Sequence, residues 1–112
     1  MDKLTKYREV IRSILTEHSR IQFSYGEMRL ETVFDSDSDR YVVVVFGRDH
    51  DGHRVNFCLI HIDIIDGKIW IHIDVTEDGV ANELVAAGIS KQEIVLGFKP
   101  PHLRKYTEFA PA

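Results

Sequence analysis

The sequence contains few cysteines, which could cross-link a small fold, and few prolines, which would interrupt its helices and strands. Its 112 residues include a single cysteine, Cys58, and three prolines. One cysteine excludes a disulfide within the chain and suits a reducing compartment, so we expect a cytoplasmic protein. The longest unbroken apolar run, from Tyr41 to Phe46, is far too short to span a bilayer, and the N-terminus lacks the basic-then-apolar order of a secretory signal. No membrane segment is therefore expected.

A surplus of positive charge is also missing. The chain has 14 Lys and Arg residues against 18 Asp and Glu residues, a formal net charge of −4 and a pI near 5.8. Proteins that bind nucleic acid on their own neutralise its phosphates with Lys and Arg, so direct nucleic-acid binding is disfavoured. The local exception is a basic run near the C-terminus, where Lys99, Arg104 and Lys105 flank His102.

What is present is the composition of a globular protein, with 44% hydrophobic and 29% charged residues. The length predicts a single domain over residues 1–112 with a sizeable core. Near the N-terminus, apolar residues recur every three or four positions, which predicts an amphipathic helix over residues 2–18. The predicted stripe comprises Leu4, Tyr7, Val10, Ile11, Ile14, Leu15 and His18.

The most informative stretch, residues 61–74, has the alternation of two strands joined by an Asp66-Gly67 turn. A two-residue turn places Ile65 opposite Lys68 and so predicts the whole register. One face then carries only isoleucine, while the other sets His61 opposite His72 and Asp63 opposite Trp70. The predicted isoleucine pairs are Ile64 with Ile69, Ile62 with Ile71, and Ile60 with Ile73.

Two further strands are predicted before this hairpin, at residues 28–34 and 40–47. The second of them is apolar at both parities, which is typical of a central strand covered on two faces. A two-residue turn at Asp51-Gly52 would pair it with the third strand. The pairs expected on the isoleucine face are then Val43 with Ile60 and Val45 with Cys58, and those on the reverse face are Val44 with Leu59 and Phe46 with Phe57.

The last third of the chain predicts a helix and a short strand. Thr76 is a suitable N-cap for a helix running to about Ala87, and Gly88 is a suitable C-terminal stop. One more turn is expected from Ser90, followed by a short strand at residues 94–98. The predicted fold is thus α+β, an antiparallel meander of about four long strands plus a short C-terminal strand, with N-terminal and C-terminal helices packed on one face.

Helices on one face leave the reverse face of such a sheet uncovered, and a bare apolar patch of that size marks an interaction surface. The tail residues Phe98, Leu103, Tyr106 and Phe109 can cover it, and so can a second subunit, which would make the protein a homo-oligomer. We expect a partner-docking surface there, with His61 and His72 at its rim. Its predicted residues are Phe46, Phe57, Leu59, Trp70, Arg104, Lys105, Tyr106 and Phe109.

The same hairpin offers a second interpretation. His61, Asp63, His72 and Asp74 bring two imidazoles and two carboxylates into one patch, which can hold zinc or a similar ion. This would make the protein a small metal-dependent enzyme or a metal-binding protein. The alternative is a solvated polar face without a metal, which such spacings favour.

Other motifs do not point to an enzyme. Asp35-x-Asp37-x-Asp39 begins like a calcium loop, but Arg40 and Phe46 occupy the positions that need glycine and glutamate. Cys58 is expected to point to the isoleucine face as a small buried hydrophobe. The sequence has no phosphate-binding glycine loop or nucleophile elbow. We therefore expect a non-enzymatic protein without a cofactor.

Taken together, these residues resemble the XisI family, the excision controlling factors of the cyanobacterial fdxN element. The segments that carry the resemblance run almost from end to end. They are residues 1–4 with Tyr7, residues 61–71, residues 74–77 and 83–85, and residues 94–101 leading to Arg104, Thr107 and residues 109–110.

The resemblance implies a small cytoplasmic α+β protein that takes part in DNA recombination, the excision of an element during heterocyst development. It also implies a partner, the XisH-like proteins, which resemble restriction endonucleases. The family supplies no catalytic residue. It usually has Gln where this chain has His72, so it adds no support to the metal interpretation.

Overall fold

The computed structural model describes residues 2–21 and 27–112. Four strands follow the first helix, and two short helices and a fifth strand complete the fold. The elements are α1 (Lys3–Ser19), β1 (Glu27–Asp35), β2 (Arg40–Arg48), β3 (Arg54–Ile65), β4 (Lys68–Asp74), α2 (Val80–Ala86), a 3₁₀ turn (Lys91–Glu93), β5 (Ile94–Leu96) and α3 (Pro101–Arg104).

The strands form one sheet in chain order, β1-β2-β3-β4-β5. The first three pairings are antiparallel, and β5 joins β4 in parallel. The predicted α+β fold with a four-stranded meander and a short C-terminal strand is confirmed. Within the described ranges, no helix is long and apolar enough to cross a membrane.

Helix α1 forms where the periodicity predicted it. The Asp2 carboxylate accepts a hydrogen bond of 2.8 Å from the Thr5 backbone N–H, which caps the helix. Tyr7, Ile11 and Leu15 are buried on the side that faces the sheet. Because only this stripe is apolar, the helix packs on one face of the sheet, called here the inner face.

The core lies between the inner face and helices α1 and α2. Nearly all its members are aliphatic, and most are completely shielded from water. Strands β2, β3 and β4 supply Tyr41, Val43, Ile60, Ile62, Ile64, Ile69 and Ile71, and α2 supplies Val80 and Leu84. The opposite side of the sheet is called here the outer face.

The β2–β3 pairing contains a bulge that the sequence analysis did not predict. Val43 lies opposite Ile60 as expected, but the register then shifts and Val44 pairs with Cys58. The connecting loop spans residues 49–53, whereas a two-residue turn was predicted. The Asp49 carboxylate stabilises this longer loop by accepting hydrogen bonds from the backbone N–H groups of Asp51 and His53. The predicted pairs that are wrong are Val45 with Cys58, Val44 with Leu59, and Phe46 with Phe57.

One extra residue in a strand turns the following side chains to the other face. Phe57 pairs with the buried inner residue Val45, so it lies on the inner face. Leu59 packs against the core, again on the inner face. Cys58 pairs with Val44 on the outer face, which corrects the prediction that its thiol points toward the isoleucines.

A second bulge interrupts the β3–β4 hairpin. The predicted register holds from the Asp66-Gly67 turn as far as Ile62 opposite Ile71. Beyond it, His61 pairs with Ile73, and His72 is the extra residue. The predicted pairs His61–His72 and Ile60–Ile73 are therefore wrong, and Ile73 turns outward with 37% of its surface exposed.

Because of this bulge, Asp74 lies opposite the inner residue Ile60 and reaches α2. Its Oδ2 accepts a 2.7 Å hydrogen bond from the Val80 backbone N–H, and its Oδ1 accepts one of 2.9 Å from the Thr76 N–H. Asp74 thus holds the start of α2, and the prediction of Thr76 as N-cap is wrong. Gly88 has the expected positive φ, 97°, just after the helix.

The C-terminal segment packs along β5 and is part of the fold. The Ala110 N–H donates a 2.9 Å hydrogen bond to the Ile94 carbonyl, and Ala110 bridges to Val95. Phe109 packs against the core. The segment accordingly covers one edge of the sheet, while Val33 and Phe46 remain 56% and 37% exposed on the outer face of β1 and β2.

Candidate functional site on the outer face

Two histidines and an aspartate form a compact polar cluster on the outer face of the β3–β4 hairpin. The His61 Nε2 lies 2.8 Å from Asp63 Oδ1, and the His72 Nε2 lies 3.2 Å from Asp63 Oδ2. The two imidazole centroids are 4.9 Å apart. An ionised carboxylate only accepts hydrogen bonds, so the His61 Nε2 is the donor in its hydrogen bond to Asp63. The three side chains are called here the His-Asp-His cluster.

The backbone explains why these groups meet. His61 and Asp63 are two residues apart on β3 and therefore share its outer face. His72 follows the inner residue Ile71 on β4 and therefore lies on the outer face, although the bulge leaves it without a direct partner on β3. Asp63 is 9% exposed and is the buried charged residue of the described chain. A carboxylate at this depth must be hydrogen-bonded, and His61 meets that need, while His72 lies within ion-pair distance.

A second layer of side chains holds His72 in place. Trp70 stacks beside it, with ring centroids 6.1 Å apart and planes inclined by 25°. The Arg104 guanidinium lies over the Trp70 ring, 5.1 Å from its centroid. It also donates hydrogen bonds to the carbonyls of Lys99 and Gly97, at 2.9 and 3.3 Å. Cation–π contact and the two hydrogen bonds anchor α3 to the outer face.

Gly97 makes room for this layer. A Cβ there would lie 3.2 Å from His72 Nδ1 and 3.3 Å from Trp70 Cε3, closer than side chains normally pack. Neither Gly97 nor the role of Arg104 as a cover for Trp70 was predicted. Nothing in the sequence separates this glycine from one that serves only a turn.

Asp74 is not a member of the cluster, which corrects the predicted metal set. Its carboxylate is occupied at the start of α2, as described above. Within the described part of the chain, two groups have the donor spacing of a metal site: the His-Asp-His cluster and the loop group of Asp49, Asp51 and His53. The loop group is largely exposed, and the Asp49 carboxylate already holds the loop backbone.

The predicted docking residues are divided by the fold. Trp70 and Arg104 are in contact, and Lys105 and Tyr106 follow them, with Tyr106 77% exposed. Phe46 lies on the outer face six positions along β2 from the row of Trp70, which corresponds to about 20 Å of strand. Phe57 and Leu59 lie on the inner face and Phe109 packs on the core, so these three do not join an outer surface.

Two other predicted features have structural roles. Asp35 accepts hydrogen bonds from the backbone of Asp37 and Ser38, and so forms the β1–β2 turn. Asp39 accepts from both the Nε and the Nη2 of Arg8, at 2.8 and 3.1 Å, and joins that turn to α1. Burial raises the pKa of the Cys58 thiol, the opposite of the shift that activates a nucleophile.

The geometry defines a small α+β domain with a polar cluster on one face of its sheet. The cluster consists of two imidazoles and a carboxylate, and an aromatic side chain packs beside it. Comparison with known families then identifies the chain. The family model "XisI protein" matches residues 1–111, and the chain belongs to the XisI family. The predicted resemblance is confirmed.

Solved structures agree with this assignment. A XisI-like protein from Anabaena variabilis ATCC 29413 is 33% identical, with a TM-score of 0.89 over 97% of this chain and 99% of the other. The fdxN element excision controlling factor XisI from the same organism is 36% identical, with a TM-score of 0.82 over 99% and 100% of the two chains. No functionally curated protein matches.

Proposed function

We propose that this chain is a non-enzymatic controlling factor for the excision of a DNA element, and that it acts by docking a XisH-like partner. The observation that carries the proposal is its end-to-end similarity to the fdxN element excision controlling factor, 36% identical over 99% of this chain. A XisH-like protein, which resembles a restriction endonuclease, supplies the contact with DNA. This division of labour suits a chain with a net charge of −4.

The proposed docking surface is the outer face. Helices α1 and α2 cover most of the inner face, whereas Val33, Phe46 and Ile73 are 56%, 37% and 37% exposed on the outer face. Exposed apolar side chains grouped on one face are typical of a protein interface. His61 lies in one row of the sheet between Val33 and Ile73, so the polar His-Asp-His cluster forms part of the same surface.

Two phenylalanines provide a matched test. Phe46 and Phe57 lie on neighbouring strands and are 37% and 43% exposed, but on opposite faces. Binding of purified chain to a XisH-like protein from the same organism is measured by calorimetry. Phe46→Ala should weaken binding at least tenfold, which is about 1.4 kcal/mol, and Phe57→Ala should change it little.

The same experiment can contradict the proposal. An equal loss of affinity in both variants would mean that the partner does not bind the outer face selectively. No loss of affinity in either variant would mean that Phe46 is not part of the interface. A second copy of the chain is the rival occupant. If light scattering shows a dimer that Phe46→Ala converts to a monomer while partner binding stays unchanged, the outer face joins copies of the chain and the proposed docking site is wrong.

Trp70→Ala extends the test to the other end of the outer face and should also weaken partner binding. Truncation of the tail is unsuitable, because Ala110 and Phe109 are built into the fold. Tyr106→Ala replaces it, since this side chain is 77% exposed and can be removed without opening the core. Retained binding by all three outer variants would exclude the surface.

A further inference from the structure

We propose that His61, Asp63 and His72 form a binding site for one divalent transition-metal ion, with zinc as the preferred occupant. This inference does not depend on the docking proposal. It rests on the positions of three donor atoms and on the side chains that fix them. It assigns a ligand to a polar part of the outer face where the Asp63 side chain is 13% exposed and those of His61 and His72 are 30% exposed.

The donor atoms are already close to the separations that a metal requires. One ligand atom from each of the three residues can be chosen so that all lie within 4.8 Å of one another. Ligands about 2.0–2.1 Å from a tetrahedral ion are about 3.3 Å apart. The Nε2–carboxylate separations of 2.8 and 3.2 Å are shorter than this by at most about half an ångström, so small side-chain shifts admit the ion.

The donor types select the kind of ion. Two imidazole nitrogens and one carboxylate suit zinc and neighbouring first-row divalent metals, whereas calcium and magnesium prefer oxygen donors. Three protein ligands leave at least one position for water or for a donor from another molecule. A histidine that binds the ion through Nε2 presents the lone pair of that nitrogen to the metal and carries its ring proton on Nδ1.

The site is held before the ion arrives. Asp63 is largely buried near the C-terminal end of β3, and His72 is packed against Trp70, which lies under Arg104. Ligands that are fixed by neighbours lose little freedom on binding, which favours affinity. The loop group of Asp49, Asp51 and His53 lacks this support, because its members are exposed in whole or in part.

The test uses tag-free protein stripped with chelator and dialysed against zinc, with the bound metal counted by plasma mass spectrometry. One zinc per chain is expected. His72→Gln and Asp63→Asn keep the size and polarity of each side chain but remove a ligand. Loss of a ligand should weaken zinc binding by more than the roughly 10–100-fold typical of outer-shell changes.

Two control variants separate this site from its rivals. His53→Gln tests the loop group, and Asp74→Asn tests the carboxylate that caps α2. Both should bind one zinc with unchanged affinity. Cobalt provides a second readout, because a tetrahedral site gives visible absorption that His61→Gln and His72→Gln should abolish.

Thermal unfolding checks that the variants are folded and gives a further measurement. Zinc should raise the Tm of the native chain and of His53→Gln, since a ligand that binds only the folded state stabilises it. It should leave the Tm of His72→Gln unchanged. The proposal is overturned if the native chain holds no more zinc than the His61→Gln/His72→Gln double variant, or if His53→Gln loses as much zinc as His72→Gln.

Discussion

The inner and outer faces of this sheet are made by the same strands but are stabilised in different ways. On the inner face, aliphatic side chains fill the space beneath α1 and α2, and most of them have no exposed surface. On the outer face, the Asp63 carboxylate is buried beside two imidazoles, one of which packs against Trp70. An apolar core tolerates exchange of one aliphatic side chain for another but is destabilised by a change in side-chain volume. A buried polar cluster is destabilised when a single partner is removed, because a polar group is then left without a hydrogen bond.

The bulges at Leu59 and His72 are what make the difference. Each moves one set of side chains to the opposite face without changing the strands themselves. They place Leu59 and Asp74 on the inner side, where they support the core and α2, and they leave Ile73 outside. The outer face is therefore defined by two local irregularities rather than by alternation alone.

The largest predicted effect tests this contrast with two isoleucines of the same hairpin. Ile62 is completely buried, whereas Ile73 is 37% exposed. Ile62→Ala should lower the free energy of unfolding by about 2–5 kcal/mol, because it leaves a cavity in the core. Ile73→Ala should cost less than about 1 kcal/mol, since no cavity forms. Urea unfolding measures both, and equal losses would mean that Ile73 faces the core after all.

The next largest effect concerns the link between α1 and the β1–β2 turn. Arg8 holds the pKa of Asp39 below its ordinary value, and the Tyr41 hydroxyl hydrogen bond acts in the same direction. Asp39→Asn tolerates the positive φ of 52° at this position but removes the charge. It should lower the free energy of unfolding at pH 7 by about 1–3 kcal/mol.

The pH dependence of this effect has a definite sign. Because the folded-state pKa of Asp39 is lowered, its stabilisation is fully present above the ordinary pKa of 3.8 and is lost as the pH falls through the folded value. The difference between the native chain and Asp39→Asn should thus shrink below about pH 3.9. The neighbouring Asp37→Asn is the control. A difference that stays constant to pH 2 would show that the charge is not responsible.

A smaller effect is expected at the start of α2. Asp74→Ala removes the acceptor for the Val80 N–H and should destabilise the protein by about 0.5–2 kcal/mol. Glu77→Ala, in the same exposed segment, should have little effect on the free energy of unfolding. If Thr76 were the cap, Thr76→Ala would cost as much as Asp74→Ala, so the comparison of these two variants decides between the predicted cap and the observed one.

Much of the fold follows from the sequence because periodicity and turn chemistry act locally. The stripe of α1, the Asp66-Gly67 register as far as Ile62, and the Gly88 stop all came from short-range patterns. The two bulges could not be predicted from such patterns, because the alternation of apolar and polar residues continues across them and no residue type marks the extra position. The wrong β3–β4 pairs lie beyond its bulge, and the wrong β2–β3 pairs lie between its bulge and the loop at residues 49–53, which was predicted as a two-residue turn.

The candidate site was predicted only in part, because one of the two bulges lies within it. His61, Asp63 and His72 were correctly grouped, although the register that suggested the grouping was wrong at His72. Asp74 was wrongly included, since only the bulge reveals that it turns inward. Gly97 and Arg104 come from a distant segment, and their packing on Trp70 depends on how the tail folds back, which local patterns do not encode.

The smallest predicted effect uses the single tryptophan as a probe of the outer face. Arg104→Lys keeps the charge but loses the planar fork that donates to Gly97 and Lys99. The free energy of unfolding should fall by less than about 1 kcal/mol, because the core is untouched. Acrylamide quenching of Trp70 fluorescence should nevertheless increase, because the guanidinium that covers the indole ring is lost.

Lys105→Ala is the matched control, since this neighbouring cation contacts Tyr106 and not Trp70. Its quenching should equal that of the native chain. If Arg104→Lys leaves quenching unchanged, Trp70 is shielded by the sheet alone, and the layer that fixes His72 does not depend on the C-terminal segment. If quenching instead rises and the free energy of unfolding falls by several kcal/mol, the outer layer is as integral to the fold as the core, and the contrast between the two faces is weaker than the burial pattern indicates.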